Sequence, residues 1–515
     1  MRGPDRISEL HDSILTHILS YLPTKEAVGT RILSKRWRNM WASVPVLDFG
    51  FADFTDDKYT VFKKLKCHVT FVSFVDSVLA SRQVQQLDSF RLVWNFQDQP
   101  YSYLAKAVRR WIHHVVQQWP RVLSIYLEPH PTFQDVIVPD PTFTCSSLEE
   151  LKLHINDSWH KTLNPALVTL PHLRKLNLGY FTIKPDFMDR LLLGSPSLEE
   201  LELYACCLDI SQISCGGLKS LVIDGCCHMT EIEVSIPSLQ YLKFTVMSSQ
   251  REGFVFTNMS SLVKASICLL DANALDVVIC DSKAKILAGL LGVTTLDIVL
   301  YGSDAMDMLD FILKTCPYFE NLKFMHFESF DGCMAECIDM IDHLVQHSPA
   351  LEEFTFYRCQ DDSNDVIELV DELREVMGKY GIARLVECHQ GCIYGSPSEL
   401  EELLDEYLNC FQSMEEEEST EEDEGEASSV DELDEGEEAE EHEGEASSAD
   451  EVDEGGEEED AEEEASSADE VDEGEVEEED EGEASSAEED DEEDEEEEDE
   501  ADEYAGGAIK GVDGV

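Results

Sequence analysis

Basic residues are scarce in this sequence: 36 Lys and Arg stand against 112 Asp and Glu, a formal net charge of −76 over 515 residues. Phosphate backbones and anionic headgroups repel such a chain, which argues against direct contact with nucleic acid or membrane. Long apolar runs are missing too. The greasiest stretch, 286–293, is far shorter than the ~20 residues a membrane span needs. The first residues lead into a polar segment and not into the apolar core of a secretory signal. There is no Gly-rich phosphate loop, nucleophile elbow or His-Glu-x-x-His, so no catalytic constellation and no cofactor are expected. Cysteine is plentiful, at 16 residues, but the pairs Cys206-Cys207 and Cys226-Cys227 lack the two-residue gap of zinc knuckles. Reduced thiols are expected, in a soluble protein of the nucleus and/or cytoplasm. Cys388-His389 with Cys392 is the nearest approach to a ligand cluster, and no metal is assigned to it. His113 and His114 beside Trp111 read as helix surface.

The charge is unevenly spread. Residues 415–503 hold 56 Asp and Glu and no Lys or Arg, which leaves the first 414 residues at about −20. Residues 411–515 therefore read as a disordered acidic tail, too poor in large apolar side chains to offset its ordering entropy. Within it Ala-Ser-Ser recurs at Ala427, Ala446, Ala465 and Ala484, each 19 residues from the last. Ser428, Ser429, Ser447, Ser448, Ser466, Ser467, Ser485 and Ser486 each have an acidic residue three positions on. They resemble substrates of casein-kinase-II-type enzymes and are candidate phosphorylation sites, although acidic neighbours are inevitable in such a tract.

Residues 5–49 have the pattern of three short helices. Ser8 is placed to cap the first, with an apolar stripe of Leu10, Ile14, Leu15, Ile18, Leu19 and Leu22 that Pro23 ends. Thr24 and Ser34 are placed to cap the second and third. A bundle this small gains from a partner. Leu10, Ile14-Leu15, Ile18-Leu19, Leu22-Pro23, Val28, Leu33-Ser34-Lys35-Arg36-Trp37-Arg38, Trp41 and Val44-Pro45-Val46-Leu47-Asp48-Phe49 resemble the F-box of plant F-box/leucine-rich-repeat proteins. The resemblance implies docking to a Skp-type adaptor through Leu10, Ile14, Ile18, Leu22, Pro23, Val28, Leu33 and Trp37. That family usually has Pro where this chain has His11, a departure that implies weaker seating of the leading segment.

Beyond the bundle the sequence repeats. The pattern Leu-x-x-Leu-x-Leu fits at Leu148/Leu151/Leu153, Leu173/Leu176/Leu178, Leu198/Leu201/Leu203, Leu218/Leu221/Ile223 and Leu239/Leu242/Phe244. The starts lie 25, 25, 20 and 21 residues apart, as in leucine-rich repeats. Weaker copies fall at Leu87/Phe90/Leu92, Val122/Ile125/Leu127, Leu262/Ala265/Ile267, Val293/Leu296/Ile298, Phe319/Leu322/Phe324 and Leu351/Phe354/Phe356. No such unit buries its apolar face alone, so stacked units are expected to form a curved solenoid with a parallel sheet. Eight residues after a repeat start the pattern calls for a small inward side chain, which is Asn156, Cys206, Cys226 and Cys359 in four copies. These cysteines are expected to serve folding.

The expected fold class is α/β: an F-box at 5–49, a linker and first degenerate repeat at 50–120, a repeat solenoid at 121–410 and the acidic tail. The resemblance implies the substrate-recognition subunit of an SCF-type ubiquitin ligase, a non-enzymatic receptor. The F-box would bind the adaptor and, through it, cullin; the repeats would bind an unidentified target. The alternative is a resemblance of another class, to acidic leucine-rich nuclear proteins that bind histones and other basic proteins.

Overall fold

In a computed structural model, the structure describes residues 7–388 except for 8, 56–60, 84–85, 99–101, 131–137, 157–160, 272–282, 284, 330–333 and 359–364. The acidic tail and its serines lie outside the described residues, as do Cys359, His389 and Cys392.

One 13-stranded sheet, with strand order identical to chain order, dominates the fold. It begins at Val46–Gly50, Ser89–Phe96, Val122–Pro129, Glu150–Ile155, Lys175–Gly179 and Glu200–Tyr204. It continues through Ser220–Asp224, Tyr241–Met247, Lys264–Leu270, Thr295–Tyr301, Phe324–Ser329, Glu353–Arg358 and Arg384–Cys388. Every neighbouring pair is parallel. The cause is the repeat. Side chains alternate across a strand, so the second and third apolar residues of each Leu-x-x-Leu-x-Leu face the same way. Parallel register then lines up Leu151, Leu176, Leu201, Leu221 and Leu242 as one buried row. Leu153, Leu178, Leu203, Ile223 and Phe244 form the next row, also buried. Returning segments cover these rows, among them helix Pro185–Gly194 with Pro185 at its first position, where the missing N–H is not needed. Two small parallel sheets, of three strands each, lie among the other returns.

The inward cysteines occupy the places the repeat gives them. Cys206 Sγ lies 3.5 Å from the Leu178 carbonyl oxygen, and Cys226 Sγ 3.5 Å from that of Leu203. Each thus donates weakly to the strand one repeat back. The residue just before each is left-handed, Ala205 at φ 45° and Gly225 at φ 60°, so the chain turns sharply where the small side chain enters.

Several expectations need correction. Within residues 50–120, expected as a linker and first degenerate repeat, the Leu87/Phe90/Leu92 copy is strand Ser89–Phe96, and helices Val61–Ser81 and Ser102–Val116, which were not anticipated, flank it. Phe71, Trp94, Phe96 and Trp111 form a buried aromatic cluster there, with the Trp94 and Trp111 rings stacked at 5.6 Å. The sheet starts earlier than expected, inside the segment assigned to the F-box: Val44/Leu47/Phe49 fits the repeat pattern, and Leu47 and Phe49 are buried beside Phe90 and Leu92. The copy at Phe319/Leu322/Phe324 is out of phase. Phe319 and Leu322 are buried, but the strand's inward residues are Met325 and Phe327, and Phe324 faces outward. The helix caps also shift. The first helix is Asp12–Leu19, capped by His11, whose Nδ1 accepts from the Ser13 N–H at 3.3 Å. Ser8, the expected cap, lies outside the described residues.

The helical segment is fastened to the first strand. Thr24 opens helix Thr24–Gly29, and its Oγ1 accepts from the Asp48 N–H at 2.8 Å. That bond satisfies an N–H on the sheet's edge, where it would otherwise be open to another chain. Val28 of the same helix enters the core shared with Leu47 and Phe49. Leu15, Leu19, Ala27, Trp37, Met40 and Val44 form a second, smaller core. Arg36 reaches across to Asp12, with Nε 2.9 Å from Oδ1, and locks the helix start to the third segment. No helix among the described residues is long and apolar enough to cross a membrane.

Candidate protein-binding surfaces

The helix Asp12–Leu19 is only eight residues long yet has two apolar faces. Leu15 and Leu19, one helical turn apart, turn into the small core. Ile14 and Ile18, also one turn apart, turn to the surface at 46% and 43% exposure. Leu33 is 64% exposed, and Ile7, Tyr21 and Ile32 are exposed on the same bundle. A single exposed aliphatic residue is ordinary; this many on some forty residues marks a surface awaiting a partner.

The eight expected adaptor contacts divide accordingly. Ile14, Ile18 and Leu33 are surface residues. Leu10, Leu22 and Pro23 are half-buried, with Leu10 and Leu22 packed on the small core. Val28 and Trp37, 8% and 7% exposed, point inward and support the surface without forming it. Ile7, Tyr21 and Ile32 were not anticipated. Their spacing is compatible with the apolar positions of the bundle, and only the absence of an inward role marks them.

The second surface is the face of the sheet turned away from the leucine rows. Register sets Arg91, Ser124, Lys152, Asn177, Glu202, Val222, Lys243, Ser266, Asp297, His326 and Thr355 side by side across eleven strands. Polar bonds tie these side chains together. Asn177 lies 2.5 Å from both His154 Nε2 and Glu202 Oε2. Lys243 pairs with Asp224 at 3.0 Å, and Asp297 pairs with Lys264 and His326, each at 2.7 Å. Such a network holds the side chains in place before a partner arrives, so less freedom is lost on binding.

An aromatic cluster rises from this face at Tyr126, His154, Tyr180 and Tyr204. The His154 ring centroid lies 5.0 Å from that of Tyr126 and 5.8 Å from that of Tyr204, nearly parallel to the latter. Tyr180 meets Tyr204 edge-on at 5.6 Å. Gly179 makes room: a Cβ there would stand 2.7 Å from His154 Nδ1. Burial pushes the His154 imidazole below its ordinary pKa, against the Asn177 hydrogen bond, so the ring is kept neutral. Tyrosines on a rigid face are effective anchors for another protein.

Comparison with known proteins bears on the two segments that carry these surfaces. The F-box domain family matches residues 7–49, and the leucine-rich repeats of the family described as "FBD-associated F-box protein At5g56370, LRR repeats" match 108–269. The chain is similar to FBD-associated F-box protein At4g10400 of Arabidopsis thaliana, 30% identical over 70% of this chain and 80% of that one. It is 32% identical to F-box protein At4g09920 of the same plant, over 52% of this chain and 82% of that protein. F-box/LRR-repeat protein At3g58930, also from Arabidopsis thaliana, is 27% identical over 68% and 75%. A helical docking bundle joined to a repeat sheet defines a class of receptor-like binding proteins. The chain belongs to the plant F-box/leucine-rich-repeat family.

Proposed function

We propose that this protein is the substrate-recognition subunit of an SCF-type ubiquitin ligase. Ile14, Ile18 and Leu33, with Ile32 and Tyr21 beside them in sequence, dock a Skp-type adaptor and through it cullin. The outward sheet face, centred on Tyr126, His154, Tyr180 and Tyr204, holds the target. The protein performs no bond chemistry itself. Its contribution is proximity: a target lysine held near a charged conjugating enzyme reacts at a raised effective concentration. The observation that carries this reading is the second apolar face of Asp12–Leu19, since Ile14 and Ile18 serve no packing role in the described core. The acidic tail, with 56 carboxylates and no cation between 415 and 503, favours targets with basic surfaces.

The test is capture of purified Skp-type adaptor by the full-length chain and by Ile14→Ala/Ile18→Ala. Losing two interface aliphatics lowers affinity on the order of tenfold or more, while the inward Leu15 and Leu19 preserve the fold. Adaptor retention at wild-type levels by a folded double variant would refute the proposal.

A further inference from the structure

We infer that Cys316, His343 and His347 form a zinc-binding clasp between two neighbouring repeats. They come from separate segments. Cys316 follows helix Ser303–Leu313, its N–H donating to the Leu313 carbonyl at 2.9 Å. His343 is in the last turn of helix Met334–Gln346 and His347 lies just beyond its end, so the two imidazoles sit one turn apart on one side. The Phe319 N–H donates to the His347 carbonyl at 2.8 Å and holds the two segments together at this point. One ligand atom from each of the three residues lies within 4.8 Å of the other two, and all three side chains are half-buried.

Three features favour a metal over chance proximity. The imidazole rings of His343 and His347 are immediate neighbours, 4.4 Å between centroids with 19° between their planes, so a modest turn of the rings brings a nitrogen of each to one ion. His347 Nδ1 lies 2.8 Å from the His343 carbonyl oxygen; a carbonyl can only accept, so Nδ1 carries the proton and Nε2 keeps its lone pair. Backbone orientation of this kind is the usual second-layer support of a metal-bound histidine. Beside His343 a pocket of about 250 Å³ is lined by Asp310, Asp339, Lys314, Leu313 and Met340. Lys314 is paired with Asp310 at 3.2 Å, and the pocket leaves room for water as a fourth ligand.

The donor set selects the ion. Two imidazole nitrogens and a thiolate suit Zn²⁺, which binds at about 2.0–2.1 Å to nitrogen and 2.3 Å to sulfur in a tetrahedron. Those bond lengths place ligand atoms roughly 3.3–3.8 Å apart, so a trio already within 4.8 Å closes by no more than about 1.5 Å as the ion enters, a movement within reach of rotamer adjustment. The clasp ties the end of one repeat's helix to the end of the next, toward the C-terminal part of the described sheet.

The experiment is Co²⁺ titration of the full-length protein in millimolar Mg²⁺, which occupies the carboxylates of the acidic tail. Thiolate-to-cobalt charge transfer in the near ultraviolet is a signal carboxylates cannot give. One equivalent of Co²⁺ should produce that band together with the visible bands of a four-coordinate site, and Zn²⁺ should displace it. Cys316→Ser should abolish the charge-transfer band. His343→Gln and His347→Gln should each weaken Zn²⁺ binding by at least about a hundredfold, the upper end of what loss of an outer-layer partner costs. If Cys316→Ser does not fold, the two histidine variants decide. No charge-transfer band in the wild type, a band that survives Cys316→Ser, or wild-type zinc affinity in both histidine variants would overturn the clasp.

Discussion

His228 makes stability depend on pH in a calculable way. Its ring is buried against Phe254 at 4.8 Å, Nδ1 donates to the Thr230 carbonyl at 2.9 Å, and Nε2 has no hydrogen-bond partner among the described residues. Burial, with a smaller push from Lys283, lowers its pKa to about 4, partly opposed by the Thr230 bond. The unfolded chain takes up this proton near pH 6.5 and the folded chain does not until about pH 4. Stability from this group is therefore complete above pH 6.5 and is lost as pH falls. The loss is about 2 kcal/mol by pH 5 and roughly 3 kcal/mol once both states are protonated. The perturbation is His228→Asn, whose amide can still donate to the Thr230 carbonyl but cannot titrate. Repeat arrays open in sections, so the assay is native-state hydrogen exchange of residues 220–256 at pH 7.5 and pH 5. Wild-type protein should lose about 2 kcal/mol of local protection between them, and the variant little beyond what other groups lose in both proteins. Equal pH dependence in the two would show that His228 is not held neutral by burial.

Other substitutions test the frame. Gly302→Ala meets both a φ of +90° and a Cβ 2.1 Å from that of Asp271; it should destabilise by roughly 2–3 kcal/mol in urea unfolding. Thr24→Ala leaves the Asp48 N–H without its partner, a loss of about 1–3 kcal/mol that should appear as faster exchange of that amide. Gly179→Ala should displace the His154 ring and disturb the Tyr126 and Tyr204 signals in NMR spectra while leaving adaptor capture intact. Removing residues 415–515 should weaken retention of histone in a salt-dependent way and leave adaptor binding unchanged; retention insensitive to salt would refute the electrostatic role.

The sheet was legible wherever the apolar spacing was regular. Between Leu148 and Phe244 each pattern marks a strand, because a two-residue alternation repeated at nearly constant intervals has one parallel solution. At Phe319 three apolar residues at the right spacing lie one turn ahead of the true strand, and only contact with Leu296 and Phe354 chooses Met325. The docking bundle was legible as a family and less so as a surface. Spacing alone does not divide an eight-residue helix into Leu15/Leu19 inward and Ile14/Ile18 outward, nor does it send Val28 and Trp37 to the interior. Of the Cys316, His343 and His347 trio only the four-residue spacing of the two histidines is visible in the sequence; Cys316 joins them through the stacking of successive repeats, whereas Cys388-His389 and Cys392 drew notice only for being close in sequence.

The bond from Thr24 to Asp48 and the entry of Val28 into the main core join bundle and sheet directly. Under the proposed function, a target bound to the outward sheet face would have its distance from the adaptor set by which strand it occupies, since neighbouring strands are about 4.8 Å apart. The array acts as a ruler. A target anchored at Tyr126 on the third strand, or at His326 on the eleventh, would present different lysines to an enzyme held at the other end. Gain or loss of one repeat between the bundle and the anchoring strand would then change the lysine presented while the anchoring residues stay the same.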